Sequence, residues 1–291
     1  MTFDKSNQKD FIINLFILID DIYHHLTKAL PESPTTKWRK PMMWPSEVIT
    51  CVIFWMLMWF KTVADMHRNL LSYHQDSFTV PCYKNFVCAI NRYSIMALKI
   101  LVLMMQNNKL QAVWDVKCID ATCIAVCNNK RIFDHQVCRW SAQRWKSTMW
   151  RFYWYKLHMT TDSKGNLLSF TITAWNTDDR AVVEKILQWI EWVVVWDAWY
   201  ISIELVKKLH DSWMTFLTWY KVNMKKLVTK EYGKKMKLRQ IIETWFGMMK
   251  QWWNLVSPYA RSIWGHYCRI IYNLLTYCIR RMMMECYVAI S

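Results

Sequence analysis

Asp120, Asp197 and Glu243 are the residues whose types and placement could do chemistry. The segment Ala112 to Asp120, AVWDVKCID, alternates and reads as a strand ending at Asp120. Val193 to Trp196 is a short β-branched run leading to Asp197, and Glu243 falls in a segment of helical spacing. Carboxylates at strand ends of an α/β sheet face the crevice in which such sheets bind ligands. Two from strand ends and one from a helix can hold hard cations such as Mg²⁺ or Mn²⁺ through oxygen, leaving coordination positions for water and phosphate. Two such ions about 4 Å apart would activate an attacking hydroxyl and stabilise the leaving oxygen of an in-line displacement. Taken singly, a strand-end Asp also suits a turn cap and a helical Glu a solvated surface. Their neighbours decide between these uses.

Between Lys221 and Arg239 stand Lys221, Lys225, Lys226, Lys230, Lys234, Lys235, Lys237 and Arg239, against the single acid Glu231. A solvated loop would leave these cations without partners, whereas a track for DNA phosphates explains both their sign and their position just before Glu243. Arg239 and Lys250 lie four before and seven after Glu243, which sets all three near one helical face, where a basic pair can hold a phosphate.

The elements that must position these groups come in two stretches. Residues 11–30 carry an apolar helical face, and Pro31, Pro34 and Pro41 then break the chain. A second helix is expected from Ser46, as cap, through Met66 or beyond, and a third over Tyr83 to Gln106. From Ala112 the period shifts towards two. Phe152 to Asp162 and Leu167 to Trp175 read as strands joined by the turn Asp162-Ser-Lys-Gly-Asn166, giving with the first strand an antiparallel meander. A helix over Asp179 to Trp189, the strand at Val193, a helix over Ile203 to His210 and a strand over Met214 to Trp219 imply parallel additions. Helices over Lys237 to Trp253 and Gly265 to Met284 follow. The expected division is a helical region over 1–105, suited to DNA contact, and an α/β region over 106–291.

The net charge of +16 points to a polyanionic partner. Basic against acidic counts run 12 to 8 over residues 1–110, 11 to 7 over 111–190 and 15 to 7 over 191–291, so the excess is greatest late. The longest uncharged apolar run, Val48 to Phe60, is shorter than the roughly 20 residues a bilayer-spanning helix needs, which predicts a protein without a membrane partner. Asp4, Asp10, Asp20 and Asp21 exclude a secretory leader, so a cytoplasmic protein with reduced cysteines is expected. Cys118, Cys123, Cys127, His135 and Cys138 have no paired zinc-knuckle spacing and read as buried small residues and a packing imidazole. The chain has 4 Gly and 20 Trp, although Gly ordinarily makes up about 7% of residues.

Arg239, three residues, Glu243, six residues, Lys250 resembles the Tyr-Arg-Glu-Lys signature of bacterial insertion-sequence transposases of the DDE class, with Met236 where that signature has Tyr. Ile119-Asp120-Ala121-Thr122 resembles the first-Asp motif of that family. Val195-Trp196-Asp197-Ala198-Trp199-Tyr200 resembles the second, Gly-Asp-X-Gly-Tyr, with both glycines replaced by tryptophan. Tyr153 to His158 and Pro45 to Thr50 extend the resemblance over nearly the whole chain; at Trp154 the family commonly has Gly. The resemblance implies an α/β fold with an RNase H-like mixed sheet and flanking helices, preceded by a mostly helical DNA-binding region. It also implies metal-dependent strand cleavage and transfer on double-stranded DNA, at terminal inverted repeats and into target DNA, with two Mg²⁺ or Mn²⁺ ions. Asp120, Asp197 and Glu243 carry over as catalytic metal ligands, and Arg239, Lys250 and His158 as supporting residues; a homodimer is compatible with this picture. The alternative is a non-catalytic relic that keeps the fold and the basic surface. The Gly and Trp counts together suggest a decayed or recoded copy in which glycines have become tryptophans.

Overall fold

The computed structural model describes residues 5–28, 41–113, 115–146, 151–186, 193–196, 215–218, 239–255 and 260–290. The chain divides into two compact units, the first made of 1–103 and 264–280 and the second of 104–263 and 281–291.

The first unit is helical: α1 (Lys5–Lys28), α2 (Pro45–Leu57), α3 (Val63–Tyr73), most of α4 (Tyr83–Gln111), and the central part of α7 (Ile263–Ile290). α2 begins one residue before the expected Ser46. Pro45 occupies the first helical position, where its missing N–H costs nothing, and Trp44, not Ser46, is the cap residue. Glu47 accepts from the Trp44 N–H at 2.5 Å, and Ser46 is buried inside the helix. Nor does the helix continue through Met66. It stops at Leu57, Trp59 turns into the left-handed region at φ 59°, and α3 restarts from a Thr62–Asp65 capping box. The core of this unit includes a helix from far down the chain. In α7, Cys268 and every residue from Ile270 to Ile279 are buried, and Tyr272 Oη donates to the Ile90 carbonyl at 3.1 Å.

α4 runs five residues past Gln106, and by length and composition it could span a bilayer. A search for uncharged runs misses it because Arg92 and Lys99 interrupt the apolar sequence. Its Phe86, Ala97, Ile100 and Leu101 are buried in protein.

The second unit is built on a mixed sheet: β1 (Lys117–Ala125), β2 (Gln143–Lys146), β3 (Arg151–Thr161), β4 (Leu167–Ala174), β5 (Val193–Trp196) and β6 (Thr215–Thr218). β1, β3 and β4 form the expected meander, with β1 antiparallel to β3 and β3 antiparallel to β4. The β3–β4 turn closes at Gly165, whose φ of 90° suits a residue without Cβ, and Asp162 Oδ1 accepts from the Lys164 and Asn166 N–H groups. β5 adds parallel to β1 and β6 parallel to β5. β2 is a strand the periodicity did not show. Trp154 pairs with Ala125 on one side and Gln143 on the other, so β2 continues the β4 side of β3.

The first strand differs most from its reading. Ala112 and Val113 belong to the turn after α4, and β1 runs Lys117–Ala125, past Asp120. It continues because Thr122 and Ile124 are buried opposite Leu157 and Tyr155, which are buried too. Two helices of this unit bear on the site: α5 (Asp179–Ile186), which packs on β3 and β4, and α6 (Arg239–Gln251), which packs on β1. The expected helix over Ile203 to His210 lies outside the described residues.

Candidate active site

Asp120 stands in the middle of β1 with respect to β3, opposite Met159. With respect to β5 it lies beyond the last paired position, since the parallel register joins Lys117 to Val194 and Cys118 to Val195. Its side chain is half-buried, and Oδ1 accepts from the Ala121 N–H at 2.8 Å. Strand alternation puts Asp120 on the face of Thr122 and Ile124, both buried.

Glu243 rides on α6, whose opposite side is anchored by Ile242, Trp245, Phe246 and Met249, all buried. Glu243 itself is exposed and Lys250 half-buried, so the helix is amphipathic, with its carboxylate on the polar side. Arg239 is the first residue of α6. Lys250 is close enough to β1 to act on Cys123, whose thiol pKa is pushed up to about 11 by burial against the opposing pull of the Lys250 and Lys156 ammonium groups.

His158 is opposite Ala121 and therefore leaves the sheet on the face away from Asp120; the structure does not bring the two together. The imidazole is buried, 2.9 Å from Thr173 Oγ1 through Nε2, and its Nδ1 is 3.9 Å from Asp179 Oδ1. Burial holds its pKa down at about 4, with Asp179 pulling the other way. Lys156, on the same face, donates from Nζ to Asp179 Oδ1 at 2.7 Å and lies 4.9 Å from the Trp175 ring centre. Asp179 opens α5, where a carboxylate also faces the positive end of the helix dipole. Sequence reasoning missed the Lys156–Asp179 pair. The signal was there in an Asp at a helix start and a Lys in the middle of a strand.

Among the cysteines read as packing residues, Cys118, Cys127 and Cys138 are buried, and burial raises the Cys127 and Cys138 thiols. Among the described residues no three His, Cys, Asp or Glu side chains converge as a metal site. Asp197, Lys221, Lys225, Lys226, Lys230, Lys234, Lys235 and Lys237 lie outside the described residues.

The profile of the transposase DDE domain matches residues 111–262, more than half of the chain, from the end of α4 past α6. The chain belongs to the DDE transposase family. No curated protein sequence matches it. A solved piggyBac transposase synaptic complex with hairpin DNA aligns with a TM-score of 0.48 at 9% identity, over 97% of this chain and 76% of that one. The matched span contains β1, the β3–β4 hairpin, β5 and α6, the elements that carry or precede all three expected carboxylates. The protein is a DNA transposase, an enzyme that cuts and joins DNA with divalent metal ions. Carboxylate oxygens such as those of Asp120 and Glu243 suit hard divalent cations.

Proposed function

We propose that this transposase works through Asp120, Asp197 and Glu243, that two Mg²⁺ or Mn²⁺ ions serve the reaction, and that its element is a bacterial insertion sequence with a Tyr-Arg-Glu-Lys-like signature in which Met236 replaces Tyr. The observation that carries the reading is the meeting of β1 with both β5 and α6. Asp197 follows directly on β5 in the sequence, and β5 pairs parallel with the part of β1 that precedes Asp120.

When bound, the ions supply a nucleophilic oxygen and neutralise charge on the phosphate. The protein's own tasks are then to hold and orient. Asp120, Asp197 and Glu243 offer oxygens from three separate elements. Arg239 and Lys250 flank Glu243 and hold a phosphate. Lys221, Lys225, Lys226, Lys230, Lys234, Lys235 and Lys237 fix the duplex by its backbone, at terminal inverted repeats first and then on target DNA. His158 supports the site through the packing of α5 and not by contact with Asp120. The helical residues 1–105 add DNA contacts, the domain 106–291 carries the chemistry, and a cytoplasmic homodimer pairs two DNA ends.

Asp120→Asn and Glu243→Gln test the assignment. Each is expected to lower strand cleavage on a terminal-repeat duplex by about 10²- to 10³-fold or more, the scale on which one preorganised electrostatic contact acts. Mg²⁺ or Mn²⁺ at a hundred times its dissociation constant should stabilise the wild type by about 2.7 kcal/mol and leave Asp120→Asn unmoved. Equal metal stabilisation of both proteins would remove Asp120 from the site.

A further inference from the structure

One tryptophan stands where the backbone is built for another residue. The α2 terminus is a Schellman turn. The Phe60 N–H reaches the Trp55 carbonyl at 3.3 Å, the Trp59 N–H reaches the Met56 carbonyl at 3.2 Å, and Met58 is the cap. In that turn the residue after the cap takes the left-handed conformation and is usually glycine, because a Cβ is penalised there. Here it is Trp59, at φ 59°, with a side chain 52% exposed. Trp154 is singled out by its side chain and not by its backbone: the ring stacks on Phe152 at 4.5 Å, but the indole N–H is unmatched. It sits where the outer partner of β3 changes from β4 to β2, paired on both sides, and its buried indole N–H has no acceptor among the described residues. Buried indoles ordinarily find one. Trp55 shows what a suited tryptophan looks like: buried, donating from Nε1 to the Phe60 carbonyl at 2.6 Å, with the Arg269 guanidinium 5.8 Å from its ring centre.

The composition points the same way. Gly and Trp together number 24 of 291, close to what glycine alone would ordinarily reach with a few tryptophans added. Random decay would scatter lost glycines among many residue types. A single exchange, glycine low and tryptophan high by a similar amount, is the mark of one triplet read in two ways.

We infer that the triplet written as tryptophan at positions 59 and 154 is read as glycine in the cells that make this protein, so that the working transposase carries glycine there. Trp196 and Trp199, beside Asp197, follow the same rule; that extension rests on the Asp197 assignment proposed above, whereas positions 59 and 154 do not.

Three measurements test it. In the gene, positions 59 and 154 should not be encoded by UGG, the ordinary tryptophan triplet; UGG at either overturns the inference for that position. Peptide mass spectrometry on the protein purified from cells carrying the gene should find glycine at both positions, and tryptophan there overturns it. In the full chain made with tryptophan throughout, Trp59→Gly should raise Tm by about 2 to 4 °C and the control Trp55→Gly should lower it. No rise for Trp59→Gly would remove position 59 from the set. Glycine in the peptides together with a chain inactive in strand transfer would leave the inference standing and count against the proposed triad instead.

Discussion

His158 illustrates how a side chain singled out by a motif can turn away from the carboxylate it was expected to support. It is 1% exposed, and burial holds its pKa down at about 4, against about 6.5 in an unfolded chain. Between those two values the unfolded state binds a proton that the folded state refuses, so stability should fall as pH drops from about 6.5 to about 4. The loss attributable to this residue is on the order of 3 kcal/mol. Urea melts across that window should show a shallower pH slope for His158→Gln than for the wild type; identical slopes would mean that the folded protein accommodates the imidazolium. His74 and His135, also held down chiefly by burial, contribute the same background to both proteins. The sequence singled out His158 by its motif but not its orientation. Which face a residue takes depends on the β1–β3 register, and only the long-range pairing of Ala121 with His158 shows it turning away from Asp120.

At the scale of elements, local chemistry was legible and long-range competition was not. The turn at Asp162 to Asn166, the strand at Val193 and the start of α5 at Asp179 sit where composition put them. The start of β1 did not, because alternation in Ala112 to Val116 cannot tell a strand from the turn that ends a helix, and α4 had already claimed the residues up to Gln111. β2 was invisible because four residues carry too little period, and it exists only by pairing with β3. α5 is tied to the sheet by the Lys156–Asp179 pair, with side chains 12% and 28% exposed. Screening is incomplete at that depth, so a double-mutant cycle of Lys156→Met with Asp179→Ala should return a coupling of about 1 to 3 kcal/mol. A coupling near zero would show that α5 is held by its apolar side alone. Likewise, Thr62→Ala removes the acceptor for the Asp65 N–H at 3.1 Å and should cost about 1 kcal/mol in α3, read as a fall in the urea midpoint.

For the molecule as a whole, the charge distribution and the DDE domain match bear on the same partner from independent directions. Residues 191–291 hold 15 basic against 7 acidic side chains, and the matched domain spans the lysines that make most of that excess. If these lysines lie on DNA phosphates, each contact releases condensed counterions, and the logarithm of the binding constant falls with the logarithm of salt concentration by about 0.9 for every phosphate engaged. Replacing Lys225, Lys226 and Lys230 by Ala should therefore weaken binding to any duplex alike and flatten that slope by about 0.9 per lysine in contact. Arg239→Ala and Lys250→Ala act differently if they hold a phosphate beside Glu243. Their cost should appear mainly in strand cleavage, with little change in the salt slope for the rest of the duplex. Fluorescence anisotropy from 50 to 200 mM salt separates the two sets. A triple lysine variant with an unchanged slope would take those side chains off the DNA and leave the basic run to some other anion.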